Sequence, residues 1–386
     1  MRESILEFDH QSLTAIRFGA GKLEQLASLL PRDAKVLLLY GGGSIKRNGV
    51  YDQLAMALAG WDWLEFGGVP ANPEIEVLDQ AKALIRAEGR DFILAVGGGS
   101  VIDAAKYLAA AAPYPGEGWD LVCGKVQARQ ALAIGAVLTL AATGSEANGT
   151  AVISRASTQD KLTFRSPLLR PCFAILDPEV LASLPERQLA NGVADAFVHA
   201  CEQYLTYPVG ALVQDGCAEG VLRALYQLAC RFDERASLWW RQNLMWAANQ
   251  ALSVTLGLGV PHDWATHRIG RTLTALHGID HGRTLTIVQP SLLREALREK
   301  GDKLRQMGRL VFEAPGISAE GVIERIEAMY LRLGMPLRLR EAVPDAPQDA
   351  AMSALALLRR DGPIRLGEDG IFDEARVERI VRACCR

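Results

Sequence analysis

The sequence predicts an α/β domain followed by an all-helical domain. Its first half alternates short apolar runs with segments of helical periodicity, which is the pattern of a parallel sheet covered by helices. Beyond Leu176, Asp177 and Pro178 the chain becomes rich in Ala, Leu, Gln and Arg and poor in β-branched runs, which favours long helices. A length of 386 residues is typical of two domains, and we place them at residues 1–182 and 183–386.

Each element follows from a local pattern. Uninterrupted apolar runs predict buried strands, whereas apolar residues at spacings of three and four predict amphipathic helices. The predicted strands are residues 36–40, 92–96 and 133–140, with helices at 48–59 and 75–88 between them and long helices over 180–230 and 238–258.

Composition and charge exclude several classes of protein. The chain has 42 basic and 45 acidic residues, and the resulting net charge of -3 argues against a nucleic-acid surface. No apolar run reaches the roughly 18 residues that span a bilayer, and the amino terminus lacks the pattern of a signal peptide. The seven cysteines form neither a CxxC pair nor a disulfide framework. We therefore expect a reduced, cytoplasmic protein that acts on small molecules, without nucleic-acid or membrane partners.

Two predicted strands end in the same tetrapeptide, Gly-Gly-Gly-Ser. Glycine turns ahead of a helix let backbone N–H groups contact a phosphate, although they also serve simply as tight turns. Neither turn matches GxGxxG, because Lys46 and Ile102 stand where the third glycine would be. Two such turns at successive strand ends nevertheless favour a nucleotide site. The turns are Gly41, Gly42, Gly43 and Ser44, and Gly97, Gly98, Gly99 and Ser100; the second runs on to Asp103 in a pattern that also fits a capping box.

The first turn predicts the choice of cofactor. NAD enzymes commonly have an acidic residue here to bind the ribose hydroxyls. This chain instead has glycines and Ser44, followed by Lys46 and Arg47. A 2′-phosphate suits that basic pair, so we expect NADPH to be preferred over NADH.

Histidines and one aspartate predict a metal site. Asp195 and His199 lie four apart in a predicted helix, a spacing that suits either a shared ion or an ordinary ion pair. Four of the six histidines then fall within one short segment that is apolar enough to be buried. Imidazoles with one carboxylate suit Zn(II) or Fe(II). Spacing does not select the ligands among His262, His267, His277 and His281.

Several motifs together resemble the iron-containing (group III) alcohol dehydrogenase family, in particular its branch of NADPH-dependent aldehyde reductases and butanol dehydrogenases. The resemblance covers essentially the whole chain and implies a dehydroquinate synthase-like architecture and a homodimer. The motifs are GGGS with Asp103 and Lys106, TLAATGSEAN at 139–148, GVADAFVH at 192–199, and the histidines that end in His281 and Gly282.

The resemblance also implies roles for individual residues. It makes Asp195, His199, His267 and His281 the metal ligands and leaves His262 and His277 as non-ligands. Threonine and serine hydroxyls would bond the cofactor's ribose and phosphate oxygens, and Lys161 would lie toward its nicotinamide. The implied cofactor positions are the Gly41 turn, Gly97 to Ser100, Asp103, Thr139, Thr143, Ser145, Asn148 and Lys161.

One position departs from the family pattern. Many members carry a histidine four residues after the third ligand, where this chain has Arg271. Arginine stays protonated and is a poor general acid. We therefore expect His277 or a metal-bound water to supply the proton, with Asp195 and His267 as the other catalytic groups.

The expected reaction is the reversible reduction of a short- to medium-chain aldehyde by NADPH, with the metal as Lewis acid. One alternative is a non-redox, metal- and NAD-dependent lyase or cyclase such as dehydroquinate synthase; another is a glycerol-type polyol dehydrogenase. The lyase would need several basic residues near the metal to bind an anionic polyol, and around His267 we find only Arg268, Arg271 and Arg283.

Overall fold

The computed structural model describes residues 6–11, 14–158, 160–252, 254–360 and 362–386. The chain divides into two compact units. The first, which we call the α/β unit, is Gln11–Leu184; the second, the helical unit, is Pro185–Arg386 together with the amino-terminal segment that ends at His10. The predicted fold class, a parallel-sheet α/β part followed by a helical part, is confirmed.

A six-stranded parallel sheet forms the centre of the α/β unit. The strands of the unit are β1 (Ala15–Phe18), β2 (Lys35–Tyr40), β3 (Asp62–Phe66), β4 (Phe92–Gly97), β5 (Ala133–Leu138), β6 (Thr150–Arg155), β7 (Asp160–Arg165) and β8 (Phe173–Leu176). The order in the sheet is β1-β8-β5-β4-β2-β3. Its central strands are apolar along almost their whole length because both faces are covered. The three predicted strands are confirmed as β2, β4 and β5.

Helices follow the strands of this sheet, and β6 and β7 form a separate antiparallel pair. The predicted helices at 48–59 and 75–88 are confirmed as α2 (Val50–Ala57), which is shorter at both ends, and α3 (Ile75–Ala87), which is one residue shorter at its carboxyl end. The helices are α1 (Leu26–Leu29), α2 (Val50–Ala57), α3 (Ile75–Ala87), α4 (Gly99–Ala111) and α5 (Gly118–Val122).

The helical unit carries the remaining helices of the described chain and one short antiparallel strand pair. The predicted long helices are confirmed over Glu186–Tyr204, Leu212–Cys230 and Leu238–Ala251, the last ending before the predicted residue 258. The prediction is wrong at residues 180–185, where a 3-10 helix ends at Ser183, and at 205–211, where the chain leaves the helix around Pro208, which has no backbone N–H to donate. The elements are α6 (Glu186–Tyr204), α7 (Leu212–Cys230), α8 (Leu238–Ala251), α9 (Val254–Gly257), α10 (Ala265–His277), α11 (His281–Glu295), α12 (Leu297–Leu310), α13 (Ala319–Arg332), α14 (Leu339–Ala342), α15 (Ala350–Arg359), β9 (Arg365–Leu366), β10 (Phe372–Asp373) and α16 (Glu374–Cys384).

Helix α6 is the central helix of this unit and is buried continuously from Leu189 to Tyr204. Its neighbours include α7, α8 and α11. A helix that is covered on all sides is expected to be apolar all round, yet α6 carries charged side chains in its middle. No helix in the described residues is both long and apolar enough to cross a membrane.

Candidate metal and cofactor sites

Three polar side chains share one face of α6. Asp195, His199 and Glu202 are spaced by four and three residues, which aligns them along the helix. Each has at most 6% of its surface exposed. Burying charged or polar groups is costly unless they find partners, so this face requires partners from elsewhere in the unit.

Two further histidines reach this face from α10 and α11. Gly278 ends α10 with a φ of 64°, a conformation that glycine adopts without strain. The chain then reverses and α11 begins at His281. His267, near the start of α10, and His281 thereby come together, with 5.3 Å between their ring centroids.

Three imidazole nitrogens converge on one carboxylate oxygen. Asp195 Oδ1 lies 3.3 Å from His199 Nδ1, 3.6 Å from His267 Nε2 and 3.9 Å from His281 Nε2. Within the described residues, no hydrogen bond reaches Asp195 Oδ1, His199 Nδ1 or His267 Nε2, although all three atoms are buried. Two ligands about 2.1 Å from one tetrahedral ion are about 3.4 Å apart. The side chains therefore fit a divalent metal that would bind to these orphaned atoms.

The ligand atoms of Asp195, His267 and His281 all lie within 4.8 Å of one another. His199 is not part of that group, but its ring lies against the ring of His267, with 4.3 Å between their centroids. The structure thus brings together all four side chains that the resemblance named as ligands, with His199 at the edge of the cluster.

Glu202 is a member of this site that the sequence analysis missed. Its carboxylate bonds His267 Nδ1 and accepts a hydrogen bond of 2.6 Å from Thr266 N. A carboxylate at Nδ1 fixes the imidazole tautomer and directs the Nε2 lone pair toward the ion. The spacing of Asp195, His199 and Glu202 was the signal that could have identified it.

The two buried imidazoles, His199 and His267, have pKa values shifted in opposite directions. Burial favours the neutral form of His199 and lowers its pKa to about 4, although Asp195 opposes this. Burial acts on His267 in the same sense, but the carboxylates of Glu202 and Asp195 outweigh it and raise its pKa to about 9. The pKa of Asp195 falls to about 2 because the surrounding imidazoles outweigh its burial. Asp195 therefore stays anionic at any working pH.

The other histidines and Arg271 take different positions. His262 Nε2 lies 3.0 Å from the carbonyl oxygen of Gly257. His277 is half-buried in the last turn of α10, ten residues and thus about 15 Å along the helix axis from His267. Burial lowers its pKa. Arg271 lies one turn after His267, and its positive charge contributes to the lowered pKa of His199.

Both glycine turns and Thr139, which are predicted cofactor residues, lie at the carboxyl end of the parallel sheet in the α/β unit. Strands β2, β4 and β5 are parallel neighbours, so both glycine turns and Thr139 lie at their carboxyl ends. Thr139 N donates to the carbonyl of Gly97 at 3.0 Å. Ligands of open α/β sheets bind at this edge.

The second turn leads directly into a helix. Helix α4 begins at Gly99, where a Cβ atom would lie 2.5 Å from Thr143 Oγ1, so only glycine fits there. The capping-box interpretation of Ser100 and Asp103 is wrong: the residue before the helix is Gly98, and the Ser100 hydroxyl bonds the carbonyl of Ala71.

Three predicted cofactor residues bond one another through a buried lysine. Lys106 Nζ donates to Ser145 Oγ at 2.7 Å and to Asn148 Oδ1 at 3.1 Å, while Ser145 Oγ donates to Asp103 at 2.6 Å. This network holds the 143–150 loop against α4. Burial lowers the pKa of Lys106 to about 8.

The two predicted basic contacts to the cofactor have partners in the α/β unit. Lys46 Nζ lies 2.8 Å from Glu65 Oε1 at the edge strand β3, and 4.7 Å from the centroid of the Tyr51 ring. Lys161 Nζ donates to Asn72 Oδ1 at 2.8 Å. Glu65 is an acidic residue near the first turn that the sequence analysis did not consider.

A dinucleotide-type sheet in one unit and a carboxylate with imidazoles in the other define the class of metal-dependent dehydrogenases. Comparison with known proteins gives the family. The family described as iron-containing alcohol dehydrogenase matches residues 14–178, and its C-terminal domain family matches residues 189–372. The chain belongs to the iron-containing alcohol dehydrogenase family and is an oxidoreductase of the alcohol dehydrogenase and aldehyde reductase type.

Individual relatives are similar over nearly their full length. The NADPH-dependent aldehyde reductase YqhD of Escherichia coli is 45% identical over 375 residues, which cover 94% of this chain and 95% of the relative. Its crystal structure has a TM-score of 0.95 at 42% identity, with 99% of each chain covered. The structure of the NADH-dependent butanol dehydrogenase A of Thermotoga maritima has a TM-score of 0.93 at 33% identity and full coverage of both chains.

Proposed function

We propose that the protein reduces short- to medium-chain aldehydes reversibly with NADPH, at a divalent metal held by Asp195, His199, His267 and His281. The observation that carries the proposal is the convergence of three imidazole nitrogens on Asp195 Oδ1 at 3.3 to 3.9 Å. The resemblance to YqhD supports the aldehyde as substrate and NADPH as reductant.

The protein's own residues prepare this site in three ways. Asp195 supplies negative charge, His199 is held neutral, and Glu202 orients the ring of His267. The surrounding α6 core excludes water from the three buried ligands. A divalent cation bound there would polarise the aldehyde oxygen as a Lewis acid, and bound NADPH would supply the hydride.

The cofactor preference rests on the first glycine turn. Gly41 to Ser44 contain no acidic side chain to bind ribose hydroxyls, and YqhD is NADPH-dependent. Glu65 pairs with Lys46, and relatives of this family use NADH as well. The ratio of kcat/KM for NADPH to that for NADH tests this preference, and equal values would count against it.

We further propose that the divalent metal is Fe(II) or Zn(II) and that the protein is a cytoplasmic homodimer. Seven free cysteines suit a reducing compartment. Sedimentation equilibrium of the purified chain tests the dimer.

An assay of NADPH oxidation tests the activity. The metal is removed and Fe(II) or Zn(II) is restored separately, with straight-chain aldehydes of increasing length as substrates. We expect metal-dependent NADPH consumption in the wild type and none in Asp195→Ala. Turnover of a polyol substrate without net NADPH consumption would instead favour the lyase, and turnover without metal would overturn the proposal.

A further inference from the structure

Lys300 on α12 is a buried charge that the proposed reaction does not use. Its side chain is 1% exposed. Lys300 Nζ lies 2.7 Å from Asp263 Oδ2 and 2.8 Å from Glu368 Oε1, and it also donates to the carbonyl of Leu205 at 2.5 Å. Both carboxylates are themselves almost fully buried. An ion cluster of this kind often stabilises a fold no better than apolar side chains of similar size, so its position in the molecule is the more informative property.

Asp263 connects this cluster to the start of α10. Its second carboxylate oxygen accepts a hydrogen bond from Ala265 N at 2.8 Å, and its backbone N–H donates to the carbonyl of Glu202 at 2.9 Å. The carboxylate of Asp263 therefore bridges Lys300 and the first residue of the helix that carries His267.

The residue between Asp263 and Ala265, Trp264, has a strained backbone. Trp264 has a φ of 60°, in the left-handed region that a bulky side chain rarely adopts. Such a conformation costs of order 1–3 kcal/mol and persists only where its surroundings impose it. Here the conformation of Trp264 is imposed from both sides. Asp263 bonds Ala265 N, and the Glu202 carboxylate bonds Thr266 N.

Trp264 in turn lies among the imidazoles. Its ring centroid is 5.6 Å from that of His267 and 6.3 Å from that of His199. A change in the turn would therefore displace both the start of α10 and the aromatic wall of the metal site.

We propose that Lys300 is a positioning residue for the metal ligand His267, acting through Asp263 and the strained turn at Trp264. The proposal rests on the proposed metal site. It assigns to Lys300 an effect on metal affinity that is separate from its effect on stability.

Lys303 provides a matched control on the same helix, one turn away. It also pairs with a carboxylate, Asp215 on α7, and its side chain is 7% exposed. Its Nζ also lies 4.4 Å from the centroid of the Tyr204 ring, and neither Asp215 nor Tyr204 belongs to the 261–265 segment. Replacing Lys303 removes a largely buried cation without disturbing Asp263.

The test measures Zn(II) affinity of the full-length protein by competition with a chromogenic chelator, for Lys300→Met, Lys300→Arg and Lys303→Met. Loss of a group that orients a metal ligand typically costs 10–100-fold in affinity. We expect Lys300→Met to weaken Zn(II) binding by about tenfold or more, and Lys300→Arg to restore part of the loss. Lys303→Met should lower the thermal unfolding temperature while leaving the affinity within about twofold of the wild type. The visible spectrum of the Co(II)-loaded protein should change in Lys300→Met alone.

Unchanged Zn(II) affinity in Lys300→Met, or an equal loss in Lys303→Met, would overturn the positioning role. If Lys300→Met does not fold, the Zn(II) affinity of Asp263→Asn tests the proposal instead. The asparagine side chain keeps the hydrogen bond from Ala265 N but lacks the negative charge that pairs with Lys300. Wild-type affinity in that variant overturns the proposal, and a loss comparable to that expected for Lys300→Met supports it. A wild-type protein that binds no Zn(II) would instead overturn the proposed metal site.

Discussion

The chemistry of the candidate site depends on how individual side chains are held. Asp195 Oδ1 faces three imidazole nitrogens at 3.3 to 3.9 Å, without a hydrogen bond to it among the described residues, while Glu202 fixes His267 from the opposite side of its ring. Glu202 makes no direct approach to the other ligands among the contacts described, so its contribution is to orient His267.

Substitution of Glu202 by Gln tests this orientation. The amide offers a poorer acceptor to His267 Nδ1, so we expect metal affinity to fall by about tenfold or more. Chelator competition gives the value. Glu219→Gln, which removes a carboxylate bonded to Tyr204 and Gln306 in the same unit, is the control and should leave affinity unchanged. Equal metal affinity in Glu202→Gln and the wild type would show that Glu202 does not orient His267 for metal binding.

His277 is the residue expected to supply the proton, since Arg271 occupies the position one turn after His267. Burial lowers the pKa of His277. His277→Ala should reduce kcat and shift its dependence on pH. The substitution should leave metal affinity intact, because His277 is not among the side chains that converge on Asp195 Oδ1. An unchanged pH profile of kcat would show that the proton comes from elsewhere.

Glu368 predicts a dependence of stability on pH. Burial raises its pKa to about 7, although Lys300 opposes this. The folded state therefore keeps a proton that the unfolded chain releases near pH 4.5. Its contribution to the free energy of unfolding is present below about pH 4.5 and is lost as the pH rises to about 7, by about 1–3 kcal/mol.

Urea unfolding of the wild type and Glu368→Gln at several pH values measures this contribution as the difference between the two proteins. The difference should change between pH 4.5 and 7. Glu374→Gln, at an exposed salt bridge with Arg359, should show no such change. A pH-independent difference for Glu368→Gln would contradict the raised pKa.

At the scale of elements, the glycine turn before α4 depends on a close contact. A Cβ atom at Gly99 would lie 2.5 Å from Thr143 Oγ1 and would push the loop away from the helix. Gly99→Ala should therefore weaken NADPH binding and cost about 1–3 kcal/mol of stability. Fluorescence titration with NADPH and thermal unfolding measure the two effects.

Gly220→Ala is the matched control, because its Cβ atom would meet nothing within 4 Å on α7. Alanine is a better helix former than glycine, so this variant should be more stable by about 0.5–1 kcal/mol. Equal NADPH affinity in Gly99→Ala and Gly220→Ala would mean that the turn tolerates a side chain and does not contact the cofactor closely.

The elements also explain what could be predicted from the sequence. Strands β2, β4 and β5 were predictable because they are continuous apolar runs. Strand β3 and the β6–β7 pair are partly exposed and mix polar with apolar residues, so no long apolar run marks them. Asp195 and His199 stood out by spacing along one helix. Lys300 and Glu368 join Asp263 only through tertiary packing, and no local pattern connects them.

At the scale of the whole molecule, the proposed metal and NADPH bind to different compact units. The proposed metal-binding side chains lie on α6, α10 and α11 of the helical unit, whereas the glycine turns belong to the α/β unit. A ligand that binds only the folded state stabilises the part of the structure it contacts, by about 2.7 kcal/mol at a concentration 100 times its Kd.

Removal of the metal should therefore destabilise the helical unit and leave the α/β unit unchanged. Amide hydrogen exchange, compared with and without chelator, should accelerate in α6 and α10 and stay unchanged in β4 and α4. Addition of NADPH to the metal-free protein should slow exchange at Gly97 to Ser100 instead. Asp195→Ala removes the ligand on which the imidazoles converge, so in this variant the chelator should have no effect on α6, while NADPH should still protect the turn. If the chelator accelerates exchange in α6 of the Asp195→Ala variant, the metal binds at other residues.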